Sequence, residues 1–158
     1  MSDHDFVILH DDREKQPFDF SAIPNVTLET TRLETGDYTT PALEGIAAVE
    51  RKSLNDLATS LGSDRKRFEA EVKRADRDLQ EFVVIVEEPR HLVQKYADAG
   101  AKSCPHYFCR TYPRTITSTV DGWPKRYNVR FEFYPDRAYA TQATYTLLQS
   151  WEQEYGPY

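Results

Sequence analysis

The run Phe82-Val83-Val84-Ile85-Val86 restricts the fold of this chain more than any other segment. Five consecutive apolar residues, four of them β-branched, show no alternation. A strand built from them has no face to offer to water and must lie between two covering layers. Glu87-Glu88-Pro89 ends the run. Phe6-Val7-Ile8-Leu9 is a second, shorter candidate for a central strand, and His10-Asp11-Asp12 follows where it leaves the core. The material for one layer is evident: from Ser63 or Asp64 onward, Phe68, Val72, Ala75 and Leu79 recur at spacings of 4, 3 and 4, which predicts an amphipathic helix with one apolar stripe.

The remaining segments fit the same plan. Val26–Thr30 alternates as a strand, is interrupted at Gly36-Asp37, and is extended by Tyr38-Thr39-Thr40. Pro41–Gly45 supplies a turn and Ile46–Lys52 returns, so the region reads as a hairpin. Ser53 is placed to cap a helix over Leu54, Leu57, Ala58 and Leu61, which Gly62 ends. His91–Ala99 predicts a short helix, Ala101–Pro113 a loop, 129–134 a strand and Arg137–Tyr155 a final helix, whereas the β-branched run Thr115–Val120 fits either a strand or a helix. At 158 residues without internal repeats, these elements indicate one α/β domain, a sandwich around a mixed sheet. No apolar run approaches the roughly 18 residues of a membrane span, and the start lacks the cationic and apolar parts of a secretion signal. Two cysteines are too few for a disulfide framework. The expectation is an intracellular protein, cytoplasmic or nuclear. A net charge of −6 argues against a polycation that coats nucleic acid, and the excess of acids lies in residues 1–62, which hold 12 acids against 5 bases.

Those acids include the chemically suggestive ones. Glu50 and Lys52 are two apart on an expected strand, so both side chains leave the same face. A hairpin brings Asp37 beside Glu50, and Asp11, Asp12 and Glu14 lie at the mouth of the first strand. Crowded carboxylates raise one another's pKa unless a cation sits among them, and hard oxygen donors favour Mg²⁺ or Mn²⁺. Such an ion can neutralise charge on a phosphoryl oxygen, while Lys52 acts on the attacking water or the developing charge. Taken alone, a Glu-x-Lys pair arises more often as a surface cross-strand ion pair.

Here it has companions: Asp11-Asp12-Arg13-Glu14, then Gly36-Asp37-Tyr38, then Glu50-Arg51-Lys52-Ser53-Leu54-Asn55-Asp56, then Arg67-Phe68. Their order closely resembles the nuclease domain of the XPF family of structure-specific endonucleases, within the PD-(D/E)xK superfamily. The likeness carries motifs over about residues 6–87 and extends more loosely to the final strand and helix. It implies a restriction-endonuclease-like three-layer α/β sandwich, with a central mixed sheet flanked by helices, and a single nuclease domain over residues 1–158. It also implies hydrolysis of DNA phosphodiesters to a 5′ phosphate and a 3′ hydroxyl, at branched or single-strand/duplex junction DNA such as a Holliday junction, in repair, recombination or replication. By the same resemblance, Asp37, Glu50 and Asp11 hold Mg²⁺ or Mn²⁺. Lys52 is the catalytic lysine, Glu14 assists, Arg13 and Arg51 support the site or bind phosphate, and Asp56 braces the following helix. Related chains carry a helix-hairpin-helix module after the nuclease domain; a stand-alone nuclease domain is the expectation here, with structure specificity left to a protein partner or to a simpler substrate. Residues 128–155 correspond to a dimerisation region, so a homodimer is expected. The competing expectation is a non-catalytic DNA-binding or dimerisation subunit.

Three weaker signals remain. Arg65, Lys66 and Arg67, with Lys73, Arg74 and Arg77, are candidates for DNA phosphates, although the interleaved acids equally describe a solvated helix face. Tyr107, Phe108 and Tyr112, with Arg110 and Arg114 among them, could stack on unpaired bases, with core or dimer packing the simpler reading. His91, Cys104, His106 and Cys109 offer zinc donors, but their spacing matches no familiar finger and reads as free thiols and imidazoles.

Overall fold

The computed structural model describes residues 4–102 and 111–157. Its centre is one six-stranded sheet in the order β2-β1-β3-β4-β5-β6. The strands are β1 (Phe6–Asp11), β2 (Val26–Thr31), β3 (Tyr38–Thr39), β4 (Ala47–Lys52), β5 (Glu81–Val86) and β6 (Arg130–Phe133). The apolar run at 82–86 forms β5, which pairs parallel with β4 on one side and with β6 on the other. Its two faces feed two separate cores, as an unbroken apolar strand requires. Phe82, Val84 and Val86 enter one; Val83 and Ile85 enter the other.

The first core is covered by α1 (Leu54–Leu61), α2 (Arg65–Asp78), α3 (Arg90–Asp98) and α4 (Pro113–Gly122). The second is covered by α5 (Arg137–Tyr155) with Phe18, Phe20 and Leu43 from the connections. Phe18 stacks on Tyr38 at 5.1 Å between ring centroids, and its amide donates to the Tyr38 hydroxyl at 2.7 Å. The mixed sheet flanked by helices is the expected architecture. Among the described residues, no helix is long and apolar enough to cross a membrane.

One local expectation changes and one open segment is resolved. Val26–Thr31 does not join the hairpin; it is an edge strand parallel to β1, with Phe6 opposite Val26. The antiparallel hairpin is made by β3 and β4 alone, because Gly36 at φ 81° breaks the extended chain before Tyr38. The ambiguous run 115–120 is helical. Pro113 sits in the first turn, where its fixed φ favours a helix. Ile116 and Val120, one turn apart, are buried in the first core, and the Thr119 hydroxyl donates back to the Thr115 carbonyl at 2.8 Å. Tertiary burial overrides the β preference of these side chains. Cys104, His106, Cys109, Tyr107, Phe108 and Arg110 lie outside the described residues; Tyr112 is 53% exposed.

Candidate active site

The pleat of β4 sorts its residues between the two sides of the sheet. Ala48 belongs to the first core and Val49 to the second, so Glu50 and Lys52 share the α1/α2 side while Arg51 turns to the other. Asp37 arrives from the adjacent strand edge. Its N–H donates to the Val49 carbonyl and its carbonyl accepts from the Asp11 amide, each at 2.8 Å. Gly36 is what permits this approach: a Cβ there would lie 2.8 Å from the Ala48 Cβ and 3.2 Å from the Val49 oxygen, at a φ that L side chains rarely adopt.

These elements open a cleft of about 580 Å³ lined by Asp11, Arg13, Glu14, Asp37, Glu50, Lys52, Asp56, Arg67 and further polar side chains. Its walls carry eight carboxylates against the cationic groups of Arg13, Lys52, Arg67 and Arg74, the Arg51 guanidinium being turned to the other side, so a polyanion entering it meets net repulsion unless cations come with it. At its base Glu50 is buried and Asp37 half-buried. Burial pushes the Asp37 carboxyl up to about 7, although its Oδ2 accepts from the Arg51 amide at 2.9 Å, and the negative charge of Glu14 adds to the rise. Burial raises Glu50 well above the ordinary range, helped by the charges of Asp37 and Glu71. Lys52 opposes both shifts. Its Nζ lies 3.7 Å from Glu50 Oε1 and 4.6 Å from the centre of the Phe68 ring, which holds the ammonium against the site.

The other expected residues divide by what already holds them. Asp11 lines the cleft, but its oxygens are committed: Oδ2 accepts from Arg13 N and Nε, and Oδ1 from Arg13 Nη2 and the Leu33 amide at 2.8 Å. It fastens the loops after β1 and β2 rather than presenting free lone pairs to a metal. Arg13 is correspondingly its counter-ion and also donates to the Leu33 carbonyl at 2.7 Å. Glu14 faces Arg51 at 3.5 Å. Arg51 does not extend toward a phosphate; it is almost wholly covered, pairs with Glu87 at 2.5 Å, and lies over the Phe18 ring. Asp56 lines the cleft in the first turn of α1, whose start is capped by Ser53 accepting from the Asp56 amide.

On α2, Arg65 is turned away from the cleft. It donates to the Leu61 carbonyl and to Thr119 Oγ1 and packs over Trp123, joining α1, α2 and α4. Lys66 is exposed and is not part of the cleft lining, whereas Arg67 is. Among the lining residues, Glu71 had no place in the expected site, and Arg74 was expected only as one of the basic residues of this helix. The helical spacing contains the signal that finds them. The core stripe is 68, 72, 75 and 79, so the positions one before the first three, Arg67, Glu71 and Arg74, form the flank next to it.

Asp37 and Glu50 are chemically suited to a hard divalent ion: two oxygen donors, one buried and one half-buried, repelling each other when charged, with room for water. Among the described residues no group of three or more His, Cys, Asp and Glu side chains is disposed to hold a metal. Two carboxylates suffice for Mg²⁺, which keeps most of its water and completes its shell with substrate phosphate oxygens.

Two solved structures are similar across nearly the whole chain. XPF from Aeropyrum pernix superposes with a TM-score of 0.68 at 20% identity, covering 91% of this chain and 60% of that one. XPF from Aeropyrum pernix in complex with DNA gives 0.64 at 19% identity, covering 94% and 66% respectively. At that identity the likeness is one of fold, and this chain spans less than two thirds of the length of those relatives. No curated protein matches the sequence significantly. The sequence does match the family described as "ERCC4 domain" over residues 10–146, a span that begins inside β1, takes in every residue of the cleft and ends within α5; the chain belongs to the ERCC4 domain family.

Proposed function

We propose that the protein is a divalent-metal-dependent DNA endonuclease. The observation that carries this reading is the carboxyl pair of half-buried Asp37 and buried Glu50, set beside Lys52 in an acidic cleft that needs a cation to receive a phosphate chain. The family membership and the resemblance of the motifs support it, and the likeness to a chain solved with DNA brings in DNA as the substrate. Asp37 and Glu50 would hold Mg²⁺ or Mn²⁺, which when bound neutralises phosphoryl charge and makes its water a better nucleophile. Hydrolysis adds water across a P–O bond, leaving a 5′ phosphate and a 3′ hydroxyl. Lys52, fixed by Glu50 and Phe68, donates to the attacking water or to the phosphoryl oxygen as charge builds there. Arg67, at the cleft wall, is placed to take a neighbouring phosphate.

Branched or junction DNA is the proposed substrate, and a homodimer the proposed assembly. From Ala138 to Trp151 the helix α5 carries no charged residue, in a chain that is 29% charged, and its outward Tyr139 is 61% exposed. An uncharged exposed helix face is suited to a second copy. The test is cleavage of end-labelled single-stranded, duplex, splayed-arm, flap and four-way DNA with Mg²⁺, Mn²⁺ or EDTA, for wild type and Glu50→Ala. Cation-dependent cutting that the variant loses while still binding DNA supports the proposal. Cutting that persists in EDTA, or in Glu50→Ala, overturns it.

A further inference from the structure

Glu71 is the carboxylate of the cleft whose place is set by a helix rather than by the sheet. It projects from the flank of α2, one position before buried Val72. A glutamate on such a flank ordinarily pairs with an arginine one turn away. Arg67 and Arg74 stand at those positions, yet Arg74 donates to Thr35 Oγ1 at 2.9 Å, and Glu71 lines the same cleft as Asp37, Glu50 and Lys52. The packing of Phe68, Val72 and Ala75 into the first core keeps the helix from rotating it away. When all four are ionised, Asp37, Glu50, Glu71 and Lys52 carry a surplus of two negative charges, the charge of one divalent ion.

Resting on the cation-dependent reading above, we propose that Glu71 is a positioning residue of the divalent-cation site. Its charge would act on the hydration shell of the ion, beside Glu50. Among the described residues the carboxylates do not close into one ligand set, so Glu71 would act through water. Outer-shell partners of this kind typically change metal affinity about 10- to 100-fold when removed.

The experiment is calorimetric titration of the DNA-free protein with Mn²⁺, for wild type, Glu71→Gln, Glu71→Ala and Glu50→Ala. Glu29→Gln, on the exposed side of β2, is a control for the same change in net charge. Melting in EDTA is recorded for each. Glu71→Gln keeps the side-chain shape and Glu71→Ala keeps a helix former, so at least one folded variant is available. The expected result is that wild type and Glu29→Gln bind alike, while both Glu71 variants bind at least tenfold more weakly without a matching loss of melting temperature. Equal affinity of wild type and the Glu71 variants, with Glu50→Ala impaired, overturns the role of Glu71 and leaves the cation site standing. Absence of binding by wild type overturns both.

Discussion

Raising the pH of the metal-free protein should destabilise it through Asp37. The group ionises near 3.8 in the unfolded chain and near 7 in the folded one, chiefly because burial disfavours its charge. Between those values the folded state holds a proton that the unfolded chain has released, so stability falls as pH rises from about 4 and the loss is complete above about 7. At about 1.4 kcal/mol per pH unit the loss has an upper bound of about 4 kcal/mol. Asp37 is half-covered rather than sealed, so about 2 kcal/mol is the working figure after solvent screening. Asp37→Asn removes the titration yet can still accept from the Arg51 amide. In EDTA at pH 8 the variant should therefore be about 2 kcal/mol more stable than wild type in urea titrations, or melt about 4–8 °C higher, and at pH 4 the difference should vanish. Saturating Mn²⁺ should reverse the order at pH 8 by stabilising wild type alone. A variant that is no more stable than wild type at pH 8 in EDTA, or an advantage independent of pH, would refute the burial of charge on which the site argument depends.

Other perturbations separate scaffold from substrate contact. Arg51→Gln removes the partner of nearly buried Glu87 and should cost about 2–3 kcal/mol in urea unfolding, below the usual cost of breaking a buried pair because Arg137 remains on Glu87 at 3.0 Å; an unchanged midpoint with weakened DNA binding would make Arg51 a phosphate ligand instead. Arg65→Ala should lower stability and leave the salt dependence of DNA binding alone, while Arg67→Ala should leave stability alone and flatten the slope of log affinity against log salt by about one unit. Gly36→Ala forces its Cβ against Ala48 and a positive φ. It should cost more than about 1 kcal/mol and, by displacing Asp37, weaken Mn²⁺ binding in the same titration.

Some of the architecture could be read from residues because single segments determined it. The run 82–86 has no polar side to expose, and Phe68, Val72, Ala75 and Leu79 admit one helix orientation. Asp37, Glu50 and Lys52 converge because a two-residue strand spacing and a glycine-bounded turn are local facts. What was not legible depended on distant partners. The edge strand Val26–Thr31 alternates equally well beside β1 or β4, and only the tertiary fold chooses β1. Thr115–Val120 becomes helical because a core is waiting for Ile116 and Val120. Arg51 and Arg65 look like phosphate ligands until Glu87, Phe18, Trp123 and Thr119 are in place around them. Glu71 was hidden among alternating charges, since the sequence shows that a helix has a flank but not which carboxylate the flank will face.

The alternation along β4 also fixes how this protein can change in length. Glu50 and Lys52 face the cleft and Arg51 faces the Glu87–Phe18 side only while the strand keeps its phase against β5, with Glu50 opposite Val84. A one-residue insertion or deletion between 47 and 52 would turn the lysine and glutamate into the apolar second core and swing the arginine into the cleft. The connection between β1 and β2, more than a dozen residues long, carries no such phase and can absorb added or lost residues away from Phe18. Variation in length is thus confined by the geometry of a single strand, and related sequences should align across β4 without a gap even where their side chains differ.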